Sequence, residues 1–334
     1  MLIVFMRSSV TNICKFAILG ILSISVSKAS LAGASSQSVP HISFATGSVN
    51  GVYYPAGGTI CKIINENTNP KVKCFTESTS GSVGNLVSSR SNPSSLGFSQ
   101  NDWLYYSYRG EGVFKNSGAD DKLRALFTLH TEALYMIVKK DSTIDSIDDL
   151  SGKNVSIGLE QSGMRWTLQR LLEVTKVKQF DFKKTLELKP SDEMKNFCDG
   201  DLDVMFMIYG TPNPITRELI ESCGAKIVAI DDKYIDILVK KYPFYSKTVI
   251  QKGLYFDSQP NIKTLGIKST VFTTTELDEE LAYQITKSVA NNIVSLSQAS
   301  DVFKDIKPSD LAKGSVVPLH SGSLKYFKEI GIAK

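Results

Sequence analysis

Five times in this chain a short apolar run ends in a loop of small or hydrogen-bonding residues, and at least four of those loops lead into a helical pattern. The runs are 42–45, 72–76, 96–98, 155–158 and 204–208. Short apolar runs bounded by turn residues read as buried strands, and strands alternating with helices specify a largely parallel α/β sheet. After the first run comes Thr46-Gly47-Ser48-Val49-Asn50-Gly51, and Pro55 then sits where a first helical turn tolerates proline. Ile60, Ile63 and Ile64 follow at i, i+3, i+4 on one helix face.

The spacing predicts further elements. Helices should carry Val83, Leu86 and Val87, then Leu168, Leu171 and Leu172, then Ile215 and Leu219. Residues 123–129 and 133–139 read as two extended runs, 145–150 as a short capped helix, and 227–230 and 262–274 as extended. Leu277, Leu281, Ile285, Val289, Ile293 and Leu296 form one stripe, predicting the longest helix. The simplest organisation is two α/β lobes, the second (139–261) inserted into the first (36–138 plus 262–334). The chain would cross near 134–140 and return near 263–270. Ligands of open α/β sheets bind outside the carboxyl ends of strands, and a cleft between lobes can close by hinge motion.

Charge and cysteine usage narrow the class. Arg7 and Lys15, followed by the apolar stretch 16–26, read as a secretory signal over 1–32 that directs the chain to the periplasm. That apolar core is short for a membrane span, which needs ~20 residues; an uncleaved anchor is the alternative. Met6-Arg7 makes a more conventional start than Met1. Removing Arg7, Lys15 and Lys28 from the 38 basic residues leaves 35 against 34 acidic ones. A mature chain so nearly neutral has no general field for nucleic acid. Cys61, Cys74, Cys198 and Cys223 remain, and pairing them in sequence order would keep each bridge within one lobe. Four buried thiols are the other reading.

The five loops share one chemistry. A helix start leaves unpaired N–H groups and partial positive charge, which favour carboxylate or phosphate. The candidate ligand-binding residues are Thr46, Ser48 and Asn50 with Tyr53 and Tyr54 behind them, Ser80, Gly81 and Ser82, Gln100, then Ser162, Gly163 and Arg165, and finally Tyr209 and Pro212. Taken singly, each loop is more simply a turn, and each Tyr a packing residue. Arg165, one turn inside its helix, is the expected counter-ion for an anion. The three histidines adjoin no nucleophile or metal partner in sequence, and the chain has no Gly-x-Ser-x-Gly or His-Glu-x-x-His. Enzyme, metal and cofactor are therefore not expected.

The run from Thr46 to Pro55, with its Tyr53-Tyr54-Pro55, resembles the TAXI family, solute-binding proteins of tripartite ATP-independent periplasmic (TRAP) transporters. The likeness continues through residues 77–86 and 96–102, Leu123-Arg124-Ala125-Leu126, residues 149–153 and the Ser162-Gly163 turn. The family's first loop reads Thr-Gly-Gly-Thr-Gly-Gly, whereas here Ser48, Val49 and Asn50 stand at its third to fifth positions. The resemblance implies a type II periplasmic-binding-protein fold, two lobes joined by hinge strands with a ligand cleft between them. It further implies a small anionic guest such as glutamate or a dicarboxylate, and delivery to an integral-membrane TRAP permease. The rivals are a binding protein of an ATP-driven importer and an exported immunogenic protein with no transport role.

Overall fold

The computed structural model describes residues 39–333 apart from Asn50 and Gln161. The signal-sequence and start-site readings lie outside the described residues, as does Asn50.

The apolar runs assemble side by side in one sheet, and the inner ones are buried along nearly their whole length. β1 (His41–Ala45) pairs in parallel with β2 (Lys73–Glu77) and β3 (Leu96–Gln100). α1 (Tyr53–Asn67) connects β1 to β2 and buries Ile60, Ile63 and Ile64, the predicted stripe. α2 (Ser82–Ser91) connects β2 to β3; it buries Val83 and Leu86, while Val87 faces solvent. Ser99 and Gln100, expected in a loop, finish β3, and Asn101 and Asp102 begin α3 (Asn101–Arg109). Strand passes to helix without a connector.

The two extended runs expected at 123–129 and 133–139 are one 17-residue strand, β4 (Leu123–Lys139). Then follow β5 (Asn154–Ser156), α4 (Gly163–Val174), β6 (Lys184–Leu186), α5 (Pro190–Asp199) and β7 (Val204–Gly210). α6 (Pro214–Cys223), β8 (Ala225–Val228), α7 (Asp232–Lys241), β9 (Tyr245–Ile250) and β10 (Ile262–Thr274) complete the sheet. Its order is β2-β1-β3-β10-β4-β7-β5-β6, with β8 on β4 and β9 on β10. β10 pairs with β9 at its start and with β3 further on, and β4 pairs with β10 and then with β7. These two long strands alone run through both halves of the sheet as described.

The predicted longest helix is broken. α8 (Glu279–Asn291) ends at Asn292, whose side chain donates to the Ser288 carbonyl at 2.8 Å, and α9 (Ile293–Ala299) starts afresh. A short amide that satisfies the backbone locally competes with continued helix. α10 (Ser321–Glu329) packs on α8. Both cysteine pairs are disulfides: Cys61–Cys74 ties α1 to β2, and Cys198–Cys223 ties α5 to α6. No helix of the described residues is long and apolar enough to cross a membrane.

Candidate ligand-binding site

The apolar sequence of β4 is interrupted by Thr128, His130, Thr131 and Glu132, midway along the strand where the two halves of the sheet meet. Glu132 stands opposite Ile267 of β10 and Gly210 of β7. Gln100, at the end of β3, stands opposite Ser269 of β10. Residues two apart on a strand, and residues paired across strands, share a face. Glu132, Ser269 and Gln100 therefore converge on one face, with β10 between the two longer side chains. Gln100 Nε2 spans that strand to donate to Glu132 Oε2 at 2.6 Å.

Around this bond lies a set of buried polar atoms with no hydrogen-bond partner among the described residues. They are Gln100 Oε1, Trp103 Nε1, the Tyr53 hydroxyl, Ser269 Oγ and both ring nitrogens of His130. Buried polar atoms are nearly always paired, so several orphans around one point mark a site rather than a core. Tyr53 reaches it from α1 by stacking on Phe98 (4.6 Å between centroids), which itself stacks on Phe44 (4.9 Å).

The electrostatics are acidic. Burial raises the Glu132 carboxyl from 4.5 to about 7, against the opposing effect of Tyr53 and the Gln100 amide. Asp102 is likewise raised to about 7 by burial, held down in part by the Trp103 N–H. His130 Nε2 is 3.6 Å from Glu132 Oε1, yet burial first, and Lys268 second, lower the imidazole to about 3. It is neutral at any ordinary pH. Burial, then Glu193 and Glu132, push Tyr209 up to about 12. Among the described residues no lysine or arginine pairs with Glu132, and no group of three or more His, Cys, Asp or Glu could hold a metal.

Two glycines close the site from the other half of the sheet. A Cβ on Gly163, at the start of α4, would lie 1.9 Å from Gln100 Oε1 and 2.9 Å from Trp103 Nε1. A Cβ on Gly210 would lie 2.8 Å from the His130 ring. Only glycine permits such approach. Trp103 packs edge-on against Trp166 of α4 (5.4 Å), and Thr167 Oγ1 donates to Asp102 Oδ2 at 3.4 Å.

The other predicted residues occupy varied positions. Thr46 is buried and donates to the Glu77 carbonyl at 2.6 Å, while Ser78 donates to the Gly47 carbonyl at 3.0 Å, so the first two loops are knitted together. Asn85 fixes them to β3 by donating to the carbonyls of Thr46 and Phe98. Gly81 caps α2 at φ +97°, and Ser82 Oγ accepts from the Gln100 N–H at 3.1 Å. Ser48 and Ser80 are exposed, and Tyr54 is half-buried outside the cluster. Ser162 caps α4 by accepting from the Arg165 N–H, and Arg165 Nη1 pairs with Glu187 at 2.6 Å. Pro212, after a cis peptide bond, precedes Asn213, which caps α6. Trp103, Glu132 and Ser269 were not among the expected residues. Two open surface hollows lie elsewhere, over the Cys61–Cys74 disulfide and beside Cys223.

The model of the NMT1-like family matches residues 44–331. Among solved structures, the alkanesulfonate-binding protein SsuA from Xanthomonas axonopodis pv. citri, bound to MOPS, is 15% identical, with a TM-score of 0.50 over 88% of this chain and 92% of its own. MatC from Rhodopseudomonas palustris, with bound malate, is 12% identical, with a TM-score of 0.52 over 79% and 89%. The periplasmic binding protein BugD is 13% identical, with a TM-score of 0.52 over 88% and 99%. Likeness at such identity is likeness of fold. The fold is that of periplasmic binding proteins, as the sequence resemblance implied.

Proposed function

Because the chain belongs to the NMT1-like family, we propose that it is an extracytoplasmic solute-binding protein that captures a small carboxylate and hands it to a TRAP-type permease. The observation that carries this reading is the convergence of Gln100, Trp103, Tyr53, Ser269 and His130, each with an unpartnered buried polar atom, around Glu132. Proteins orient small ligands with a few buried polar groups in an otherwise apolar surround. Malate in MatC and MOPS in SsuA are both acids, which supports an acid here.

In this reading residues 36–138 with 262–334 form one lobe and 139–261 the other, β4 and β10 serving as hinge strands. Gly163 and Gly210 approach Gln100 and His130 only when the lobes are closed. Contacts made in one state alone are what allow a guest to shift the open–closed balance. Arg165, drawn to Glu187 in this structure, would turn to the guest's carboxylate.

Calorimetry on the mature protein with amino acids, dicarboxylates, keto acids and sulfonates tests the reading. It expects at least one small acid to bind one-to-one at micromolar or tighter affinity, on the order of −8 kcal/mol, and Arg165→Ala to weaken it. If no acid binds, the reading fails. Reconstituted uptake driven by an ion gradient supports the TRAP assignment, and uptake requiring ATP replaces it with the ATP-driven importer.

A further inference from the structure

We infer that an anionic guest enters this site together with one proton, which Glu132 carries and donates to the guest. The inference rests on the solute-binding reading and adds how the site is regulated: affinity for the guest follows the protonation of one side chain.

The geometry poses the problem. Glu132 is 4% exposed, and among the described residues no lysine or arginine pairs with it. Its Oε2 accepts from Gln100 Nε2 at 2.6 Å, and the Tyr53 hydroxyl faces the carboxyl as a second donor. Both donors are neutral. The orphaned Trp103 Nε1 can only donate, and the orphaned Ser269 hydroxyl can donate; these suit an anion. An anionic guest therefore arrives beside an acid. Two negative charges cannot share one small buried space, and one of them takes up a proton. Protonated Glu132 keeps the Gln100 bond on Oε2 and presents an O–H to the guest. Hydrogen bonds of that charge-assisted kind are among the shortest and strongest in proteins.

The surrounding charges act in the same direction. Tyr53 comes from α1, Asp102 from α3, His130 from β4 itself and Tyr209 from β7. Glu132 raises Tyr53, Asp102 and Tyr209, each of which is raised chiefly by burial. The imidazole, lowered to about 3, is neutral. Lys268 of β10 acts on His130 and is itself set against Asp310 and Lys313. None of these groups offsets a second negative charge beside Glu132, which burial already raises to about 7. Asp102 is raised as far, but its oxygens are engaged by the Trp103 N–H at 2.8 Å and by Thr167 Oγ1 at 3.4 Å. The proton offered to the guest is therefore that of Glu132, drawn from solvent.

Calorimetry tests the inference with L-glutamate, malate, 2-oxoglutarate and methanesulfonate, one from each class of the screen above. Their acid groups are all ionised above pH 6.5, so a proton taken up on binding goes to the protein. Titrations at pH 8 in triethanolamine and in Tris, amine buffers of different ionisation enthalpy, count that proton. Wild type should take up about one proton per guest, and affinity should fall about ten-fold or more between pH 7 and pH 9. Glu132→Gln, which cannot titrate, should take up no proton and lose the pH dependence. No uptake by wild type, or affinity that rises with pH, overturns the inference and leaves the solute-binding reading standing. Uptake that vanishes in Asp102→Asn also overturns it, and this second variant decides the assignment if Glu132→Gln fails to fold. If none of the four acids binds at any pH, the solute-binding reading itself falls, and the inference with it.

Discussion

Gln100 Nε2 donates to Glu132 Oε2 at 2.6 Å across the intervening strand β10. The bond holds an acid in place where β4 passes from one half of the sheet to the other, with no lysine or arginine paired to it among the described residues. Its consequences for stability can be measured without knowing the guest.

Glu132 is raised from 4.5 to about 7 in the folded protein. The folded state therefore holds a proton that the unfolded state has released over that window. This contribution to stability is fully present below about pH 4.5 and lost as pH rises through 7, approaching about 3 kcal/mol. Glu132→Gln cannot lose it. Denaturant melts at pH 5 and pH 8 should show the variant gaining on wild type at the higher pH. His130, lowered to about 3, works in the opposite direction, but it is present in both proteins and cancels in the comparison.

Gly163→Ala would place a methyl group 1.9 Å from Gln100 Oε1. If the two halves are hinged, the chain should open rather than unfold. The expected outcome is a larger radius of gyration in solution scattering, a melting temperature within a few degrees of wild type, and affinity for a small acid reduced by about ten-fold or more. A simple loss of stability with unchanged dimensions would argue against hinging.

Trp103 is 1% exposed, and its Nε1 has no partner among the described residues. Trp103→Phe keeps much of the packing against Trp166 and removes one donor. A lost hydrogen bond to a charged group costs about 1.5–3 kcal/mol, so calorimetry should show affinity for an acid falling by at least about ten-fold with little change in unfolding free energy beyond the lost ring volume.

The two disulfides close short loops, of 13 and 25 residues in sequence separation. Replacing either pair by serine should cost about 3 kcal/mol in denaturant unfolding. Cys61–Cys74 joins α1 to β2, so its loss should also loosen the helix that positions Tyr53.

Much of the frame was legible because periodicity reports burial directly. The stripe Ile60, Ile63, Ile64 and the run 262–274 appear where the spacing put them. What spacing could not show was continuity. His130, Thr131 and Glu132 looked like a break between two strands, whereas they are the polar centre of one. An acid within a mostly apolar run was the available signal, since burial of a carboxyl without a cation is rare without a function. Helical spacing also ran through Asn292, where a side-chain bond ends the helix. The glycine-rich loops drew attention to backbone amides, while much of the site is side chains from β3, α3, β4 and β10 that only the tertiary fold brings together.

Native mass spectrometry of the gently purified protein tests the central claim most directly. The account predicts that one small acid leaves the wild type at one-to-one stoichiometry and that Gly163→Ala carries little or none. Wild type without a guest, and with no mass added on exposure to small amino and carboxylic acids, would contradict it.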